Sequence, residues 1–154
     1  MGHREAWLAG LIDGEGCFTL SISIQHKHSL RISPKFSISM RSGIWVRAAG
    51  SILRFNRIPF HSRLRRNQDE IVVSGIQAVS RLLRLTIPYL VVKKPLAVRL
   101  ADFPRAPRRN AFTPINSAYL ERICNLVDYV RRFNRGKNRK HRWNGEAVRR
   151  FYQE

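Results

Sequence analysis

The chain has 154 residues, enough for one domain with a sizeable core, and its 29 Lys and Arg against 10 Asp and Glu leave a net charge of +19. No apolar run approaches the roughly 20 residues of a bilayer-spanning helix, and the opening MGHREAW is too polar for a signal peptide. Cys17 and Cys124 lie far apart without a CxxC pair, which leaves neither a zinc framework nor a disulfide scaffold. A reducing intracellular compartment is expected, either the cytoplasm of a prokaryote or an organelle matrix.

The elements follow from changes of period along the chain. Residues 5–15 predict a short helix with Leu8, Leu11 and Ile12 on one face. From Phe18 the period becomes two. Phe18, Leu20, Ile22 and Ile24 alternate with polar residues, as do Leu30, Ile32, Phe36, Ile38 and Met40 after the loop HKHS. This is a hairpin of half-buried strands, with a bulge or an edge expected at Pro34. Residues 44–56 return to a helical period. FHSRLR and EIVVS form a second hairpin around Arg66–Asp69, and residues 75–87 form another amphipathic helix.

Pro95 suits the first turn of a further helix. PRAPRRNAFTP then reads as a connection to a C-terminal helical part over about 114–154. In that part Asn116 or Ser117 caps a helix through about Phe133, and Trp143 to Tyr152 make a last one. Tyr119, Ile123, Val127 and Val130 form the stripe of the longer helix. The expectation is a single α+β domain over 1–154, with a core over about 5–103. Its order is αββαββα, and helices cover one face of an antiparallel sheet.

The other face is informative. Between Gly16 and Asp69 there is no acidic residue, whereas ten lysines and arginines fall there. On the polar face of the first hairpin, alternation places Ser21, Ser23, Gln25 and Lys27, then Arg31, Ser33, Lys35, Ser37, Ser39 and Arg41. His61, Arg63 and Arg65 join them from the third strand. An ordinary solvated face mixes both signs of charge. One-sign charge with short hydroxyls suits a surface held against nucleic acid, where Arg pairs with guanine and hydroxyls reach bases or phosphates. A two-stranded ribbon fits the major groove of duplex DNA better than the narrow one of A-form RNA. A membrane partner is not expected, because no long basic amphipathic helix with an aromatic face is present.

The first helix holds a contradiction, since each mid-helix glycine costs about 1 kcal/mol against alanine. Ala6, Gly10 and Gly14 lie four apart and form one small-residue stripe. Such a stripe lets two helices approach closely, although glycines can also simply be tolerated. If the stripe meets its own copy across a two-fold axis, Asp13 and Glu15 from both chains crowd that axis. Carboxylates at a helix C-terminus oppose the macrodipole. A divalent cation such as Mg²⁺ would explain them; so would local capping or pairing with an arginine.

The stretch LAGLIDGEG, Leu8–Gly16, resembles the signature of the LAGLIDADG homing endonucleases and differs at two of its nine positions, Gly14 and Glu15. One copy of the motif implies the homodimeric class. The resemblance implies a saddle-shaped sheet over duplex DNA and metal-dependent cutting of a long pseudo-palindromic site, with short 3′ overhangs. It also implies an intron or intein as the host of the gene. Glu15 matches the acid that binds the catalytic Mg²⁺, with the backbone carbonyl of Gly14 beside it. Asp13 matches the first motif acid, whose role is more structural, and Ala6, Gly10, Asp13 and Gly14 fall at the dimer interface. Lys93, in PYLVVKK, matches a lysine that often lines the active site, although a plain surface lysine is the alternative. Arg63 and Arg65 match base-contacting positions, and Lys137 and Lys140 match C-terminal phosphate contacts. The second strand departs from the pattern: Met40, beside Arg41 and Ser42, stands where relatives often carry a glutamine. RNA is the partner to expect if the scaffold instead serves as a splicing maturase, and a catalytically inactive DNA-binding protein is the other alternative.

Overall fold

The computed structural model describes residues 2–26, 29–105, 115–134 and 143–153. Within them the chain runs α1 (His3–Glu15), β1 (Gly16–His26), β2 (Ser29–Met40), α2 (Gly43–Phe55), β3 (His61–Arg65) and β4 (Gln68–Ser74). It continues through α3 (Ile76–Thr86), α4 (Lys94–Ala101), α5 (Ser117–Phe133) and α6 (Gly145–Phe151). The α+β class and the αββαββα order are those the sequence periods imply. The strands form one antiparallel sheet in the order β1-β2-β4-β3.

One sheet face is apolar because the period-two residues share it. Phe18 pairs with Phe36 in the ladder, and their rings lie 4.8 Å apart, both fully buried. Ile38, Ile71 and Val73 extend this face, and Leu8 and Ile12 of α1, Leu53 of α2 and Leu82 and Leu83 of α3 pack against it. Along α1, Leu8, Ala9 and Ile12 are fully buried, and Leu11 packs against the same core half-buried.

Two other local features explain the shape. Pro34 lies one residue beyond the last β2–β4 pair, Lys35 with Ser74, so β2 is an edge there. The register irregularity falls between Ile24 and His26, at the hairpin tip, rather than at Pro34. Between β3 and β4 a two-residue turn, Arg66-Asn67, has φ of 51° and 59°. That is the mirror-image turn whose twist matches the flanking strands.

The C-terminal helices join the same core through Ile123, Cys124, Val127 and Val130 of α5 and Val148 of α6. Asn116 and Asn144 cap the two helices, accepting from the Tyr119 and Ala147 amides at 3.0 and 2.6 Å. The side-chain amide of Asn134 donates to the Phe18 carbonyl at 2.8 Å, and the Tyr152 hydroxyl accepts from the Leu30 amide at 3.1 Å. Both contacts tie the first hairpin to the tail. Among the described residues, no helix is long and apolar enough to cross a membrane.

Candidate active site and nucleic-acid interface

The three motif glycines answer to different constraints. Gly16, where α1 passes directly into β1, is buried. A Cβ there would lie 2.7 Å from the Phe36 ring and 2.8 Å from the Ile12 carbonyl oxygen, so only glycine fits. At Gly10 and Gly14 an added Cβ would meet nothing within 4 Å. Both are exposed, as is Ala6, so the stripe faces outward from the single subunit.

Asp13 has both carboxylate oxygens engaged. Its Oδ2 accepts from the amides of Val91 and Val92 at 2.7 and 3.2 Å, and its Oδ1 accepts from the amide of Lys93 at 2.8 Å. The Lys93 ammonium donates back to the Asp13 backbone carbonyl. Burial pushes the Asp13 carboxyl up, but the three amides and the Lys93 charge outweigh it and hold the group below its usual range. The resemblance gives Asp13 a more structural role at the end of the helix, and in the fold it anchors the 91–93 turn and thereby fixes Lys93. Burial pulls the Lys93 ammonium below its usual value, opposed by the nearby Asp13, Cys17 and Glu15. Glu15 itself is exposed at the end of α1.

The polar sheet face forms the floor of a groove of about 500 Å³ that begins at Glu15. Cys17, Thr19, Lys35, Ser37 and Ser39 line it from the first hairpin, and Arg65, Arg66, Gln68 and Glu70 line it from the second. Arg131 of α5 and Asn134 just after it, with Trp143, form another wall. Strand pairing sets Ser39 opposite Glu70, and Glu70 opposite Arg63, across three strands. His61, Arg63 and Arg65 are exposed on this face, and Ser21, Ser23 and Arg31 extend it along the first hairpin. Ser33 is half-buried there opposite Ser21. Gln25 sits at the register irregularity, and Arg41 follows the end of β2 in an exposed bend. Lys27, Lys137 and Lys140 lie outside the described residues.

Met40 pairs with Asp69 and packs against the core side, so it lines no polar surface. Sequence reading missed Gln68 and Glu70. The alternation that gives Ile71 and Val73 to the core gives Gln68 and Glu70 to the groove, a signal present in QDEIVVS.

Glu15 is an exposed hard oxygen donor at the groove, and the neighbouring Gly14 is exposed too. Among the described residues no group of three or more His, Cys, Asp and Glu could enclose a metal ion. This donor set does not build a closed site, but it fits a hard cation that keeps waters and takes phosphate oxygens, as Mg²⁺ does.

The family model for LAGLIDADG endonuclease matches residues 8–104, and the chain belongs to that family. Its fold is similar to that of the homing endonuclease I-CvuI, solved with the I-CreI target in the presence of Mg and with the DNA not cleaved. That likeness has a TM-score of 0.73 and 20% identity, over 97% of this chain and 92% of that one. It is also similar to the archaeal intron-encoded homing endonuclease I-Vdi141I complexed with DNA, with a TM-score of 0.72 and 18% identity over 97% and 94% of the two chains. For the group I intron-encoded I-CeuI complexed with DNA, the values are 0.65 and 17%, over 99% and 77%. No curated protein matches the chain.

Because the Asp13 carboxyl is held below its unfolded value, its contribution to stability is complete above about pH 4 and is lost as pH falls through the folded value. Asp13→Asn is expected to cost about 1–3 kcal/mol at neutral pH, toward the lower end because the group is only half-buried. It should also flatten the acid limb of stability against pH. Urea unfolding of both proteins between pH 2.5 and 7 checks this, and parallel acid limbs would contradict it.

Proposed function

We propose that this chain is a homing endonuclease that acts as a homodimer and hydrolyses one phosphodiester in each strand of a long, roughly two-fold-symmetric DNA site. The observation that carries this reading is the position of Glu15. The motif helix delivers an exposed carboxylate to the mouth of a cationic groove, beside a lysine fixed by Asp13. The neighbours solved with DNA support duplex DNA as the partner.

The chain's residues divide the work. The sheet face binds and orients the duplex, with Arg63, Arg65 and His61 toward base edges and Ser21, Ser23, Ser33, Ser37 and Ser39 supplying shorter contacts. The exposed stripe of Ala6, Gly10 and Gly14 packs against its copy, which brings two Glu15 carboxylates toward the two strands. Lys93 stands where its ammonium meets negative charge developing on a phosphoryl group. Held from behind by Asp13, it reaches that position without reorganisation. Glu15 and the Gly14 carbonyl would hold a divalent cation, with Mg²⁺ the expected ion. Such a cation supplies Lewis-acid polarisation of the phosphate and of the attacking water.

Two substitutions separate dimerisation from chemistry. Gly10→Leu places its side chain in open space on the single subunit and gains about 1 kcal/mol of helix propensity. Sedimentation should therefore show a folded monomer where the parent is a dimer; a persistent dimer would remove α1 from the interface. Glu15→Gln should retain duplex binding while losing cleavage by on the order of 100-fold or more. Gel-shift and cleavage assays on one selected target check this, and full cutting would refute the assigned role.

A further inference from the structure

Glu70 is a buried carboxylate on an otherwise cationic face. It is 4% exposed, and it faces Arg63, Arg65 and Lys35. The Arg63 Nε–H donates to its Oε2, and the Arg65 Nη1 lies 4.0 Å from its Oε1. The side chains of both arginines remain about half exposed, at 50% and 51%. Burying a carboxylate is costly unless it is paired, and here the pairing prevails. Burial raises the Glu70 carboxyl, but the Arg63 hydrogen bond and the Arg63, Arg65 and Lys35 charges bring it below its usual range.

The atoms used matter. Glu70 takes the side of the Arg63 guanidinium through Nε, which leaves the two terminal nitrogens at the exposed end. Those nitrogens carry the donor fork that matches O6 and N7 of guanine. Glu70 itself is too deeply set to reach a base edge. An arginine free on a surface samples many rotamers, whereas one clamped at Nε loses less entropy on reading a base. A carboxylate among cations also lowers the attraction of this part of the sheet for phosphate. Its presence therefore favours discrimination over bulk affinity.

We propose that Glu70 is a positioning residue that clamps Arg63 so that its terminal fork reads a guanine in each half of the target. This rests on the reading of the sheet as a duplex-DNA surface, and it adds a residue and a base identity to that reading.

The test is a binding selection on partly randomised duplex DNA, with the full chain and Ca²⁺ as the divalent ion. Wild type, Glu70→Val, Glu70→Gln, Arg63→Ala and the Glu70→Val/Arg63→Ala double variant are compared. Wild type should enrich guanine at one symmetry-related position. Arg63→Ala and Glu70→Val should each relax that same position on the order of 10-fold or more, and the double variant should relax it no further. Glu70→Gln keeps the shape and one acceptor, so it should fall between and serve if the valine variant does not fold. Non-specific affinity should be unchanged or higher in both Glu70 variants, which a merely destabilised sheet would not give. The proposal is overturned if Glu70 variants keep the guanine preference that Arg63→Ala loses, or if all positions weaken together. If wild type enriches no sequence at all, the DNA-reading assignment fails first, and the clamp falls with it.

Discussion

Three backbone amides converge on one carboxylate at the end of α1, and the site depends on that convergence. A negative side chain there opposes the helix macrodipole by about 0.3–1 kcal/mol. Hydrogen bonds to a charged acceptor contribute about 1.5–3 kcal/mol each where they are sheltered, so three of them outweigh the dipole even when only half-buried. The result is a fixed distance between the motif helix and the turn that carries Lys93. Three residues on, the chain enters β1 through Gly16, whose buried position excludes any side chain. Between these two fixed points stands Glu15, exposed at the groove and within electrostatic reach of Lys93.

The same logic governs the charge of the sheet. A net charge of +19 makes compact folding unfavourable through self-repulsion, and the fold spreads most of that charge over the surface. It gathers Lys35, Arg65, Arg66 and Arg131 along one groove, where a polyanion would relieve the repulsion. Beyond Glu15 at its mouth, that groove retains a second acid, Glu70, which is buried. Charge in bulk gives attraction without sequence information, since it acts on phosphates. Fixed geometry of a guanidinium is what distinguishes one base from another, and Glu70 supplies a fixed point.

Much of the fold was legible because period and punctuation agree. The switch from helical to two-residue spacing at Phe18, Pro95 and the Asn116 cap all mark boundaries that the structure keeps to within a few residues. Leu8, Leu11 and Ile12 all pack toward the core as their spacing implies, and the small Ala9 joins them fully buried, which its size alone does not signal. The irregularity near Ile24 was not legible, since it follows from closing the hairpin and not from Pro34. Of the site, Glu15 and Lys93 could be picked out by resemblance. The structural role of Asp13 followed from the same resemblance, but its partners did not, because they lie about eighty residues away in sequence and are backbone amides, which carry no sequence signal. Glu70 was hidden for a simpler reason: the strand was read for its apolar members, and the residues between them were passed over.

The central claim is that this chain reads and cuts a symmetric duplex. The most direct measurement is a cleavage selection, in which a pool of partly randomised duplex DNA is incubated with the protein and Mg²⁺ and the new ends are sequenced. The account predicts a two-fold-symmetric consensus around cuts with short 3′ overhangs. Intact DNA across a range of temperatures and divalent ions, together with tight binding to structured RNA, would contradict it and point to a splicing role for the same scaffold.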